Sequence, residues 1–256
     1  PLALNEAHTR AVGKSFRESS MLHGMMEQAL IIQQPSRAAR QLVLLFHGPG
    51  ASEEDMRPVG ERLAAEYPDA LVASLRAPQP ASLGSGYQWF SVEGIDDARR
   101  VERVAAAMPQ FVAAIRQWQR ATGLGPEATV LVGFSQGAIM VLEAATQAGD
   151  DVLAGRVVAL AGRYARLPST NPGGTTLFLV HGKSDAVIPY GFTVEAARHL
   201  VALGADVVAD VVPWLGHGID AEVLDLAARR LRTHVPKRHW EAAMRQGVPP
   251  PDGVTQ

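Results

Sequence analysis

From residue 29 onward the chain alternates short apolar runs with longer stretches whose apolar positions recur at helical spacing. The runs at 29–33, 42–46, 70–75, 128–132, 156–160, 176–180 and 206–212 have strand length and β-prone composition. Between them, 55–67, 96–122, 138–145, 190–203 and 221–231 read as amphipathic helices. Strands separated by crossover helices predict an α/β fold built on a mostly parallel central sheet, with helices on both faces in three layers. The first two strands flank a polar turn and are predicted to be a hairpin or neighbours. Within 96–122, Pro109 predicts an interruption, because proline removes a backbone donor and crowds the preceding turn. Phe111, Ala114, Ile115 and Trp118 share one face of that helix and are assigned to the core. The stretch from Arg76 to Gly94 is long for a connection and is therefore expected to be functional.

Composition supports this picture. In 256 residues, 47% hydrophobic content and 20% charge suffice for one large core. The 24 basic and 26 acidic residues give a net charge of −2, without the dense basic block that nucleic acid requires, so no nucleic-acid partner is expected. The absence of cysteine excludes disulfides, thiolate metal sites and a cysteine nucleophile. No apolar run approaches the ~18 residues of a membrane span, so no membrane insertion is expected. The first 20 residues lack a signal-peptide core, and the expected location is cytoplasmic. The domain plan is an N-terminal extension at 1–25, non-native or disordered, one α/β domain at 26–245 and a frayed, proline-rich tail at 246–256.

Chemistry enters at Gly133-Phe134-Ser135-Gln136-Gly137, which follows a strand run and opens a helical one. That context makes it a nucleophile elbow, a tight turn that lifts a serine hydroxyl above the end of a sheet. An ordinary serine N-cap would account for Ser135 but not for glycines on both sides. A dinucleotide loop would need a third glycine where Met140 stands.

A serine hydroxyl needs a base to take its proton and an acid to orient that base. The chain order serine, acid, histidine, with each partner on a loop after a strand, selects Asp185 and His217. Of the eight histidines, His199 falls in a helix, His234 follows one, and His8 and His23 lie in the N-terminal extension. His47 and His181 each stand before a glycine at a strand end, where tying down the loop is the expected role. Asp206 and Asp210 fall within a strand, and Asp220 reads as a helix cap.

Phe46-His47-Gly48-Pro49-Gly50, Trp89-Phe90, the elbow, His181-Gly182 with Asp185, and Gly216-His217 occur in this order. In that arrangement the chain resembles the phospholipase/carboxylesterase family of α/β-hydrolases, over about residues 28 to 240. Gly86 to Gly94 and the continuation Gly137-Ala138-Ile139-Met140 look most like one group of bacterial esterases within it. The resemblance implies carboxylic ester hydrolysis through an acyl-enzyme, with Ser135, Asp185 and His217 catalytic and no metal or cofactor, and the lack of an apolar lid insertion in the sequence points to small, short-chain acyl esters. It implies an oxyanion hole of the Gln136 N–H and a second donor after His-Gly. It also implies Trp89 and Phe90 as substrate-binding residues, with pinning of the long loop as the alternative role. Trp214 is expected to pack.

The position of that second donor is occupied by Pro49, which has no N–H. A shifted loop in which Gly50 or a neighbour replaces it is expected, with a slow enzyme as the alternative. The rival functions are acyl-protein thioesterase or lysophospholipase activity, and a non-catalytic binding protein on the same fold. The expected partner is a small-molecule ester, and a homodimer is compatible with the sequence.

Overall fold

The structure, a computed structural model, describes residues 28–147 and 151–245. The extension at 1–25 and the tail at 246–256 lie outside the described residues. In chain order the strands and helices are β1 (Ala29–Gln33), β2 (Gln41–Phe46), α1 (Arg57–Glu66), β3 (Ala70–Leu75), β4 (Gln79–Pro80), β5 (Tyr87–Gln88), α2 (Asp97–Thr122), β6 (Thr129–Phe134) and α3 (Gln136–Gln147). They continue with β7 (Arg156–Leu160), β8 (Thr176–Gly182), α4 (Gly191–Ala202), β9 (Asp206–Val212), α5 (Ala221–Thr233) and α6 (Lys237–Arg245).

Seven strands form one sheet in the order β1-β3-β2-β6-β7-β8-β9, and β4 pairs with β5 in a separate small ribbon. Every neighbouring pair in the large sheet is parallel except β1 with β3. The predicted strand runs are all present, but the predicted hairpin is not. β3 lies between β1 and β2, because β2 takes parallel partners on both sides and leaves the antiparallel edge to β1.

Side chains that alternate along a strand separate into two cores. Leu42, Leu44 and Phe46 of β2 join Leu131, Leu177 and Leu179 beneath α2, α3 and α4. Val43 and Leu45 face the opposite way, with Val130, Phe178 and Val180, toward α1 and α5. The sheet is thus buried on both faces, as near-continuous Val/Leu strands require.

Helix α2 runs unbroken through Pro109, against expectation. Pro109 and Ala105, whose carbonyl loses its helical donor, are both exposed, so water can satisfy that carbonyl. Meanwhile Met108, Phe111, Ile115 and Trp118 hold the buried face together across the proline. The one helix that the hydrophobic pattern did not bring out is α6, which buries no residue.

The chain leaves β2 toward β3 on one side, and later strands extend from β6 on the other. The carboxyl ends of β2 and β6 therefore flank a topological switch point, the crevice where open α/β sheets place their sites. The His47-Gly48-Pro49 loop follows β2 and Ser135 follows β6, so both project there.

Candidate active site

Ser135 sits between β6 and α3 with φ +53°, a left-handed conformation unusual for a residue with a side chain. Its N–H donates to Leu160 O of β7 at 3.0 Å and its carbonyl accepts from Ile139 N–H at 3.1 Å, so the turn is held from both sides. A Cβ on Gly133 would lie 2.3 Å from Gly137 O, and one on Gly137 would lie 2.1 Å from Phe46 O. Strand and helix approach too closely for any side chain at either position, which is the physical content of the elbow motif.

The three residues selected by chain order meet at this turn. His217 Nε2 lies 2.9 Å from Ser135 Oγ, and His217 Nδ1 lies 2.7 Å from Asp185 Oδ2. Nδ1–H can only donate to the carboxylate, which leaves the Nε2 lone pair facing the serine hydroxyl. The Phe134 ring packs against the imidazole, 5.1 Å between centroids.

Asp185 is itself firmly held. Its Oδ1 accepts from the N–H groups of Val187 (2.8 Å) and Ile188 (2.9 Å), and its side chain is fully buried. Burial pushes the carboxyl pKa up, but the hydrogen bonds from His217, Ile188 and Val187 outweigh it and leave the group below the ordinary aspartate value. The acid is therefore an anion at neutral pH.

His181 has the expected tying role and an additional contact. Its Nε2 lies 2.7 Å from Ile188 O and 3.1 Å from Asp185 Oδ2, while Nδ1 meets Thr193 Oγ1 at 2.7 Å. Burial lowers its pKa, so the ring is neutral. A carbonyl facing Nε2 fixes the proton there, and the Thr193 hydroxyl donates to Nδ1. The contact with Asp185 has no local sequence signature, since it depends on how the loop after β8 folds back.

On the other side of Ser135, His47 ties the loop after β2. Ala77 N–H donates to Nε2 at 3.0 Å, so Nδ1 carries the proton and donates to Gly48 O at 2.7 Å. This ring is also kept neutral by burial. A Cβ on Gly48 would come within 3.2 Å of the Ser135 Cβ, so the loop lies directly against Ser135.

The re-aimed Gly50 is not seen. Its φ is +78°, but its N–H donates to Tyr87 O at 2.9 Å, tying it to β5 and away from the serine. With Pro49 lacking a donor, the Gln136 N–H remains at the first turn of α3, where backbone donors have no helical partner and the helix dipole favours negative charge.

The Gln136 side chain forms a bracket that the sequence did not suggest. Oε1 accepts from Trp89 N–H at 2.7 Å and Nε2 donates to Phe90 O at 2.7 Å. The Trp89 indole donates to His47 O at 2.9 Å and packs edge-on against Phe46 and Phe111. Trp89 and Phe90 therefore pin the long loop, and both are buried.

Trp214 does not pack. It is 92% exposed, because φ +63° at this position turns its side chain outward between the buried Val212 and the Leu215 carbonyl that accepts from Ser184 N–H. Asp220 caps α5 by accepting from Val223 N–H at 2.9 Å, and Asp206 and Asp210 pair with His234 and Arg230. None of these three reaches Ser135, as expected.

With this geometry in place, comparison with known proteins is direct. The sequence profile described as Phospholipase/Carboxylesterase matches residues 27–235. The chain is similar to Esterase YpfH of Escherichia coli (strain K12), with 43% identity over 232 residues, covering 91% of this chain and 99% of that protein. It is 28% identical to Acyl-protein thioesterase 1 of Gibberella zeae over 180 residues, which cover 64% of this chain and 76% of that one. Among solved structures, esterase PE8 superposes with a TM-score of 0.72 at 28% identity, covering 81% of this chain and 99% of that one.

Proposed function

Because the chain belongs to the phospholipase/carboxylesterase family, we propose that this carboxylic ester hydrolase works as a serine esterase, with Ser135, His217 and Asp185 as its triad. The observation that carries the reading is the continuous chain of hydrogen bonds from Ser135 Oγ through both nitrogens of His217 to a buried, ionised Asp185. Ser135 Oγ attacks the ester carbonyl carbon while His217 Nε2 takes the hydroxyl proton, and Asp185 stabilises the resulting imidazolium. Collapse of the tetrahedral adduct breaks the bond to the alcohol oxygen, which leaves with the proton from His217. Water then repeats the sequence on the acyl-enzyme and releases the carboxylic acid.

The developing oxyanion is held by the Gln136 N–H at the head of α3. Pro49 supplies no donor and the Gly50 N–H is held by Tyr87, so in this reading the site works with a reduced hole. Small, short-chain esters fit best, because the long β3–α2 connection is fastened down by Trp89 and Gln136 rather than raised as a lid over an apolar channel.

A fluorophosphonate probe tests the nucleophile. Labelling at Ser135 is expected in the folded protein and is absent after Ser135→Ala. A folded protein that resists labelling would leave the non-catalytic reading. Initial rates on p-nitrophenyl esters of increasing acyl length, with one acyl thioester alongside, test the substrate class. Rates should fall as the chain lengthens, and a preference for long chains or for the thioester would replace this reading with the thioesterase one.

A further inference from the structure

A well-formed cavity in the described structure lies apart from the pit above Ser135. It has a volume of about 340 Å³, opens beside the end of β3 against α2, and has none of Ser135, Asp185 or His217 in its wall. That size is at the lower end of the range of roughly 300–1,000 Å³ typical of small-molecule sites. Its apolar side is formed by Trp89, Phe111, Trp118 and Met140.

Two arginines and no carboxylate line the cavity. Arg76 is neutralised from outside by Glu53, which it meets through both Nε and Nη2. Arg103 has no carboxylate partner among the described residues, and its Nη1 donates only to the carbonyls of Ser91 (2.7 Å) and Glu93 (2.8 Å). An aromatic-lined cavity with one uncompensated guanidinium is complementary to a molecule with an apolar body and a single negative charge.

We propose that this cavity is a second binding site, separate from the catalytic serine, for an amphipathic monocarboxylate such as a medium-chain fatty acid. Its wall is coupled to the chemistry. Trp89 and Phe90 line it, and their backbone is gripped by the side chain of Gln136, whose own N–H is the oxyanion donor of the proposed mechanism. A ligand that shifts this wall therefore shifts that donor. The rate effect rests on the serine-esterase reading, whereas binding does not.

The test uses the full chain and sodium octanoate, with acetate and 1-octanol as probes that lack the apolar body or the charge. Binding is followed by intrinsic fluorescence, since Trp89 and Trp118 line the cavity. Titration is carried out on the Ser135→Ala variant, so that no turnover is needed. Saturable octanoate binding is expected, with acetate silent and octanol weaker. Arg103→Gln should weaken octanoate by about tenfold, the usual worth of a charge-assisted hydrogen bond, while leaving octanol unchanged. Ala114→Phe, which fills the cavity from α2, should abolish both. Arg103→Lys, which keeps the charge, should retain most of the binding and guards against a folding defect, checked by the thermal midpoint.

In the unsubstituted protein octanoate should lower kcat for p-nitrophenyl acetate with little change in KM. Octanoate affinity that ignores both Arg103→Gln and Ala114→Phe, or purely competitive inhibition, would overturn the proposal. An inactive but octanoate-binding protein would sink the esterase reading and leave this site standing.

Discussion

The two halves of the site around Ser135 are built to different standards. On the acid–base side, His217 is fixed by Asp185, Asp185 by two backbone donors, and the loop by the buried His181. On the oxyanion side the loop after β2 is just as firmly tied, by His47 and the Trp89 indole, but it ends in a proline and a glycine whose N–H is already used. Rigidity alone does not complete an oxyanion hole. In the proposed mechanism the first half activates the nucleophile, and the second, short of the donor that Pro49 lacks, sets the limit on how well the charge is stabilised.

Breaking the stronger half should have the largest effect. Asp185→Asn keeps the shape but removes the charge and favours the wrong imidazole tautomer, and kcat should fall by about 10⁴. Steady-state kinetics measure this, and a loss below tenfold would mean that His217 does not depend on Asp185. Repairing the weaker half should give the opposite sign. Pro49→Leu restores an N–H at the expected position, and because a single oxyanion donor is typically worth about 10²–10³ in turnover, kcat should rise at least tenfold. An unchanged or lower kcat in a folded variant would show that the hole is already complete.

The smallest effect concerns what the halves share. Each loop is braced by a histidine kept neutral by burial, His181 on one side and His47 on the other. In the unfolded chain these imidazoles titrate near 6.5, so as pH falls through about 6.5 the unfolded state binds more protons and stability drops. Asp185 acts lower on the scale. Its contribution is present above about 3.9 and is lost only as pH falls through its depressed folded value. Urea midpoints should therefore decline between about pH 7.5 and pH 5.5. The decline should be shallower in His47→Asn and in His181→Asn, and equal declines in all three proteins would detach these histidines from acid sensitivity.

Much of the site was legible before any coordinates, for local reasons. The apolar run before Gly133 and the helical pattern after Gly137 define a strand, a turn and a helix, and this turn carries its serine outward whatever surrounds it. Chain order and the loops after β8 and β9 then place Asp185 and His217 on the same edge of a parallel sheet. What stayed hidden were contacts between segments far apart in the chain. Gln136 grips Trp89 and Phe90 across 46 or 47 residues, which no spacing rule foresees. The use of the Gly50 N–H by Tyr87 and the outward turn of Trp214 are decisions of the same kind.

The sequence by itself thus determined the α/β alternation, the elbow and the two residues that meet its serine, since each depends on backbone geometry over a few residues and on the order of strands along the chain. Only the tertiary structure decided which strand stands beside β1, that α2 survives Pro109, and that the Gly50 N–H is spent on Tyr87. Each of those depends on which distant surfaces bury one another and on where a displaced backbone group finds its hydrogen-bond partner.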